Sequence, residues 1–155
     1  MTPLFKKLNY KDQQEVYILN APDSFRDEMD GMEALAHVKT RLDKKKEIRF
    51  MLCFVQARAD VEAMIGPLSL QAGGDGVIWF AYPKVSSRSY SSEISRDQGW
   101  EPLGTIGFEA VRAVAIDQDW SALRFRRVEF IKTMSRRADF AMTREGKKKT
   151  RPSGR

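Results

Sequence analysis

Two almost unbroken hydrophobic runs, Ile48-Arg-Phe-Met-Leu-Cys-Phe-Val55 and Val77-Ile-Trp-Phe-Ala-Tyr82, constrain this chain more than any other feature of its sequence. Neither run alternates apolar with polar residues, as a strand with one wet face would. They suit central strands of a parallel sheet that is covered on both sides. Parallel neighbours need a crossover between them, and the intervening segment offers one. Val61, Met64, Ile65 and Leu68 recur at helical spacing, which predicts an amphipathic helix over residues 58–70. Gly73-Gly-Asp-Gly76 then stops the helix and turns the chain.

The same pattern extends in both directions. Residues 15–19 form a short apolar strand ending at Asn20-Ala-Pro-Asp, where Pro22 and the acids Asp23, Asp27 and Glu28 predict a helix from Pro22 towards Met32 or Leu35. A brief strand is expected over residues 36–39, followed by a basic linker over 40–47. Residues 84–99 are polar and serine-rich and read as a loop-like, mobile stretch leading into a helix that contains Ile94 and Trp100. Residues 108–116 and 123–130 flank a turn over 117–122 and read as a closing hairpin. Their apolar phase slips between Phe125 and Val128, so a bulge is expected near Arg126. Strands alternating with helices, followed by a hairpin, make an open, mostly parallel α/β sheet in three layers.

At 155 residues the chain fits one domain, and its 42% apolar and 31% charged content is that of a globular protein. No stretch reaches the roughly 20 apolar residues of a membrane span. The first residues, Met-Thr-Pro-Leu-Phe-Lys-Lys-Leu, lack the apolar centre of a secretory signal. A cytoplasmic protein without membrane contact is expected. The net charge of +6 is concentrated at one end: from Lys132 onward there are nine basic residues against two acidic ones, whereas the preceding body is close to neutral. The division is therefore a domain over 1–131 and a basic extension over 132–155, expected to be a short helix and then disordered. In that extension Lys147, Lys148, Lys149 and Arg151 are candidates for non-specific contact with nucleic-acid phosphates, although such an end is more often simply solvated.

Several short motifs fall in a telling order: Thr2-Pro-Leu with Lys6-Lys-Leu8, Asn20-Ala-Pro22, Tyr82-Pro-Lys84 with serines nearby, and residues 117–123 with Trp120-Ser121. Across residues 2–127 they resemble the bacterial family catalogued as domain of unknown function 3052. That family carries no assigned activity. Its layout is similar to that of the Rossmann-like methyltransferases, which implies about six strands in the order 2-1-3-4-6-5, numbered along the chain. A fold of this kind does not bring a function with it.

The chemistry-bearing residues narrow the choices. A dinucleotide or S-adenosylmethionine site normally uses a glycine-rich turn after the first strand and an acid after the second. Here the turn is Asn20-Ala-Pro-Asp-Ser, and the second strand ends in Lys39-Thr-Arg41. No cofactor is expected, and a divergent methyltransferase stands only as the alternative reading. His37 is the only histidine and Cys53 the only cysteine, the latter inside an apolar run, so neither a zinc site nor a histidine-based triad is expected. Asp117 and Asp119 could share a cation, but aspartates are routine in turns. No metal is expected, and no catalytic residue can be assigned.

Position gives the better candidate. Ligands of open α/β sheets bind outside the carboxyl ends of the parallel strands. On that edge the chain places Asn20, Lys84, Ser86 and Ser87, together with Asp117, Trp120 and Ser121 from the hairpin. An amide, a cation, hydroxyls and an indole suit a small anionic or planar ligand, or a protein partner. The alternative is that Trp120 packs over the hairpin while Asn20 and Pro22 merely start a helix. A non-catalytic binding module is the leading expectation.

Overall fold

The computed structural model describes residues 1–131. The expected short helix and the basic residues Lys147, Lys148, Lys149 and Arg151 lie outside the described residues.

Six strands form one sheet: β1 (Glu15–Leu19), β2 (His37–Lys39), β3 (Phe50–Phe54), β4 (Val77–Pro83), β5 (Phe108–Ala115) and β6 (Trp120–Arg127), in the order β2-β1-β3-β4-β6-β5. The first four run parallel, and β6 pairs antiparallel with both β4 and β5. This is the Rossmann-like order that the family resemblance implied. The two hydrophobic runs lie side by side at its centre, with every residue of β3 and of β4 buried.

Strand periodicity sorts the core into two layers. Phe50, Leu52, Phe54, Trp79 and Ala81 face one side and pack with Val16, Ile18, Phe25 and Trp120. Met51, Cys53, Ile78, Phe80 and Tyr82 face the other and pack with Val61, Leu68, Trp100 and Phe125. The first side is covered by α1 (Pro3–Lys7) and α2 (Arg26–Met32), whose buried residues Leu4, Phe5 and Met32 join that layer. Helix α1 has no counterpart in the sequence reading. Its signal was the Thr2-Pro3 pair: Thr2 Oγ1 accepts a hydrogen bond from Phe5 N at 3.2 Å, and Pro3 occupies the first turn.

Four local expectations need correction. The single helix over 58–70 is two, α3 (Arg58–Glu62) and α4 (Ile65–Gln71), because Pro67 has no N–H to give and its ring would meet the carbonyl of Ala63 in a continuous helix. The helix after β1 begins as a 3-10 turn, Asp23–Phe25, before α2. Ile94 is not helical; α5 (Glu101–Gly104) starts after Trp100. Gly99 takes a φ of +98° just before it, a conformation that would have interrupted a longer helix. The bulge lies on β5, where Val111 is the extra residue between Ala110 and Arg112. The phase slip at Val128 marks the end of β6, since Val128–Phe130 is a 3-10 turn.

The glycines after α4 are structural, as read from the sequence, but unequally so. A Cβ on Gly76 would stand 2.7 Å from the Ile48 carbonyl oxygen, while one on Gly73 would meet nothing. Gly76→Ala is expected to cost about 1–3 kcal/mol, since the obstacle is backbone. Gly73→Ala should stay within about 0.5 kcal/mol. Urea denaturation of both variants checks the contrast.

Candidate functional site

Connections from β1 lead outward to β2, whereas those from β3 lead the other way to β4, so the topological switch lies between β1 and β3. Asn20 stands at this point with φ +60°. Left-handed backbone normally calls for glycine, but asparagine tolerates it better than other side chains. Asn20 therefore takes the conformational place of the glycine that the sequence lacks here. Its amide is one of the groups acting on the thiol of Cys53, near the end of β3. Burial pushes that thiol up to about 12, with the Asp60 carboxylate adding to the effect and Asn20 opposing it. Cys53 is thus a packed neutral thiol at ordinary pH, as read from the sequence.

Beyond Asn20 the carboxyl ends of β1 and β2 frame a pocket of about 260 Å³. Its apolar lining comes from Ile18, Ala21 and Met29, and its polar lining from Asn20, Asp23, Arg26 and Thr40. Asp23 and Arg26 are three residues apart across the 3-10 turn and the start of α2, and both side chains are exposed. Neither makes a salt bridge among the described residues. Of the residues singled out from the sequence as ligand contacts, only Asn20 lines this pocket.

The others gather elsewhere on the same edge. Between the ends of β1 and β6 lie three strand spacings, roughly 14 Å. Lys84 N donates to Asp119 O at 2.8 Å, and Ser87 Oγ donates to Asp119 Oδ1 at 2.9 Å. Asp117 closes the hairpin turn, its Oδ1 accepting from the backbone N–H groups of Asp119 and Trp120, both at 2.8 Å. Ser121 Oγ donates to Val114 O at 3.4 Å, and Ser86 is exposed. Trp120 is only 2% exposed, with its ring between Phe54 and Tyr90. Asp117 thus takes the turn role weighed for it.

The serine-rich residues 84–99 form a strap that crosses this edge. Ser92 Oγ and Glu93 N both donate to Gln56 O just beyond β3, and Glu93 Oε1 accepts from Arg58 N at the start of α3. The strap occupies the mouth of the crevice beyond β3, which leaves the β1–β2 side for the pocket.

A larger cleft, about 520 Å³, lies at the opposite, amino ends of the strands, between Asp12, Glu15, Lys46 and Arg49. Its central charge is already matched. Glu15 binds Lys46, contacts Lys39 at 3.3 Å and accepts from Tyr17 Oη at 3.3 Å. The Lys46 hydrogen bond is the main cause holding the Glu15 carboxyl below its usual range. His37 is exposed at the start of β2, and among the described residues no three metal-binding side chains come together.

Arg26, Met29 and Thr40 were not recognised from the sequence as site residues. Thr40 occupies the place after β2 where an acid would mark a ribose site. Arg26 and Met29, three apart on α2, carry no motif.

No family model matches the chain, and no curated protein matches it. Two solved structures are similar in shape. One is a protein of the NADB-Rossmann superfamily from Streptococcus agalactiae, at 9% identity and a TM-score of 0.45, covering 82% of this chain and 68% of that one. The other is Sp1610 from Streptococcus pneumoniae, proposed to be a tRNA (m1A22) methyltransferase, at 8% identity and a TM-score of 0.45, covering 90% of this chain and 75% of that one. Among the described residues no helix is long and apolar enough to cross a membrane.

Proposed function

We propose that this protein is a Rossmann-like binding module whose ligand is a small polar molecule held at the carboxyl ends of β1 and β2. The observation carrying this reading is the pocket of about 260 Å³ with an apolar floor and polar groups, of which Asp23 and Arg26 make no salt bridge among the described residues. Its volume lies just below the usual range for drug-sized ligands, about 300–1,000 Å³, so the occupant is small. Arg26 offers a guanidinium and Asp23 a carboxylate, a pairing suited to a zwitterion or to a neutral molecule with both donors and acceptors. Asp27 and Glu28 in the first turn of α2 disfavour a phosphate group there. Membership of the domain of unknown function 3052 family is part of this reading; it rests on the motifs and brings no activity with it.

Thermal-shift measurements with free amino acids, nucleosides, nucleotides and S-adenosylmethionine test the proposal. A ligand at a hundred times its Kd stabilises by about 2.7 kcal/mol, or roughly 5–11 °C for a chain of this size. Thr40→Tyr, which places a ring at the pocket wall, should abolish the shift while leaving the melting temperature of the ligand-free protein nearly unchanged. A shift that survives Thr40→Tyr, or no shift with any compound, would contradict it. A response confined to S-adenosylmethionine would favour the methyl-transfer alternative.

A further inference from the structure

Trp120 carries an unusual deficit. Its ring is 2% exposed, and its indole N–H is buried with no hydrogen-bond partner among the described residues. The other two tryptophans satisfy theirs, Trp79 Nε1 donating to Leu8 O and Trp100 Nε1 to Ser95 O, both at 2.8 Å. A buried donor left unmatched is costly and uncommon; among the side-chain atoms of the described residues only Glu28 Oε2 and Arg124 Nε share that state.

What covers that group is held less firmly than the rest of the edge. Tyr90 lies on Trp120 with ring centroids 4.9 Å apart, while Phe54 meets it edge-on at 5.0 Å. Phe54 is fixed within β3. Tyr90 belongs to the strap between two anchors, the Ser87–Asp119 hydrogen bond on one side and the Ser92 and Glu93 bonds to Gln56 on the other. Between these anchors the strap is held by backbone donation from Ser89 and Tyr90 to Ser87 Oγ and by the ring contact. The Tyr90 hydroxyl makes no hydrogen bond among the described residues, and Arg88, Ser89 and Ser91 on either side are exposed. One aromatic ring, tilted 55° to the indole plane, thus lies against an indole whose donor is unmet among the described residues.

We propose that residues 88–91 are a lid over a second binding site, in which a planar heterocycle replaces Tyr90 on Trp120 and a group of the same ligand accepts the indole N–H. The ligand class follows from the ring contact that Tyr90 gives up and from the donor that is unmet. Stacking requires a flat π-system, and the stranded donor requires an acceptor within about 3 Å of Nε1. Nucleobases meet both conditions, with carbonyl or ring-nitrogen acceptors on a planar ring. Lys84 starts the strap beside the Pro83–Trp120 register pair and adds a cation to the same neighbourhood. The site is distinct from the β1–β2 pocket, since Trp120 and Tyr90 do not line that pocket.

Quenching of tryptophan emission in the full chain tests this, with two kinds of probe: the four common ribonucleosides, and a ten-nucleotide single-stranded RNA. Saturable quenching by the nucleosides identifies a free heterocycle as the ligand, and quenching by RNA alone identifies a base presented on a strand. Trp120→Phe keeps an aromatic ring and removes the N–H and the local reporter, so its binding is read by isothermal titration calorimetry beside the native chain; it should weaken binding at least tenfold in a variant whose cooperative melting shows that it is folded. Tyr90→Ala removes the competing ring and should tighten binding about fivefold or more, because the competent state no longer has to be populated by displacing it. Thr40→Tyr should leave this binding unchanged. The proposal is overturned if no probe quenches, if Trp120→Phe binds as tightly as the native chain, or if Tyr90→Ala fails to tighten binding. Loss on Thr40→Tyr with retention on Trp120→Phe would place the ligand in the β1–β2 pocket and overturn this proposal while supporting the other.

Discussion

Replacing Trp79 with alanine is expected to remove about 4 kcal/mol of folding stability, lowering the melting temperature by roughly 8–16 °C. The residue sits in the middle of β4, paired with Leu52 on one side and Arg124 on the other, and none of its surface is exposed. Its removal leaves a cavity between the sheet and the amino-terminal segment, which a strand hydrogen-bonded on both edges cannot collapse to fill. It also strands the Leu8 carbonyl, which accepts the indole N–H at 2.8 Å just beyond α1. Trp79→Phe separates the two losses. It keeps most of the apolar volume and gives up the hydrogen bond, so about 1–3 kcal/mol should be lost. If Trp79→Phe were as damaging as Trp79→Ala, the hydrogen bond rather than the packing would dominate. Urea denaturation of the three proteins checks this directly.

Phe54→Ala is expected to have a comparable effect, about 3–5 kcal/mol. Phe54 is the keystone of an aromatic row on one face of the sheet, with the rings of Phe25 and Trp120 each 5.0 Å from its own. Phe25 continues the row to Phe5 at 6.2 Å, and Trp120 continues it to Tyr90. The row therefore joins α1, the turn before α2, the central strand, the hairpin and the strap. Edge-on ring pairs add about 0.5–1.5 kcal/mol each beyond the area they bury, so deleting the middle ring costs more than its own burial. The same deletion removes the floor beneath Trp120. Acrylamide quenching of tryptophan emission in the folded variant should rise above that of the native chain, and an unchanged quenching constant would mean that Trp120 does not depend on Phe54 for its burial.

The central place of β3 and β4 was legible because burial writes itself into composition. Residues covered on both faces must be apolar throughout, and the runs at β3 and β4 could be little else. The resemblance carried by the Asn20, Tyr82 and Trp120 motifs supplied the order of the remaining strands. Local breaks were less legible. Pro67 was visible in the sequence, but the helical spacing of Val61, Met64, Ile65 and Leu68 continues through the break because both short helices bury the same side. The β5 bulge was placed on the wrong strand because the end of β6 and a bulge within it shift the apolar phase in the same way.

The candidate site was legible at one residue and obscured at the rest. Asn20 was found by position, at the carboxyl end of β1. Its left-handed backbone was hidden because the expected signal was a glycine. Arg26, Met29 and Thr40 come together only through packing of α2 against the ends of β1 and β2, and no spacing in the chain announces that. Lys84, Ser87, Asp117 and Trp120 belong to a hydrogen-bonded hairpin and strap at a distance from the pocket. Sequence position identifies an edge; it does not say which side chains leave a gap there.

The central claim is that the gap between the ends of β1 and β2 holds a ligand. A crystal structure of the protein grown with the compound that gives the largest thermal shift tests it most directly. The account predicts ligand density enclosed by Ile18, Met29 and Thr40, with polar atoms within hydrogen-bond distance of Asn20 and of Asp23 or Arg26. Density elsewhere on the molecule, with this pocket closed by its own side chains, would contradict it.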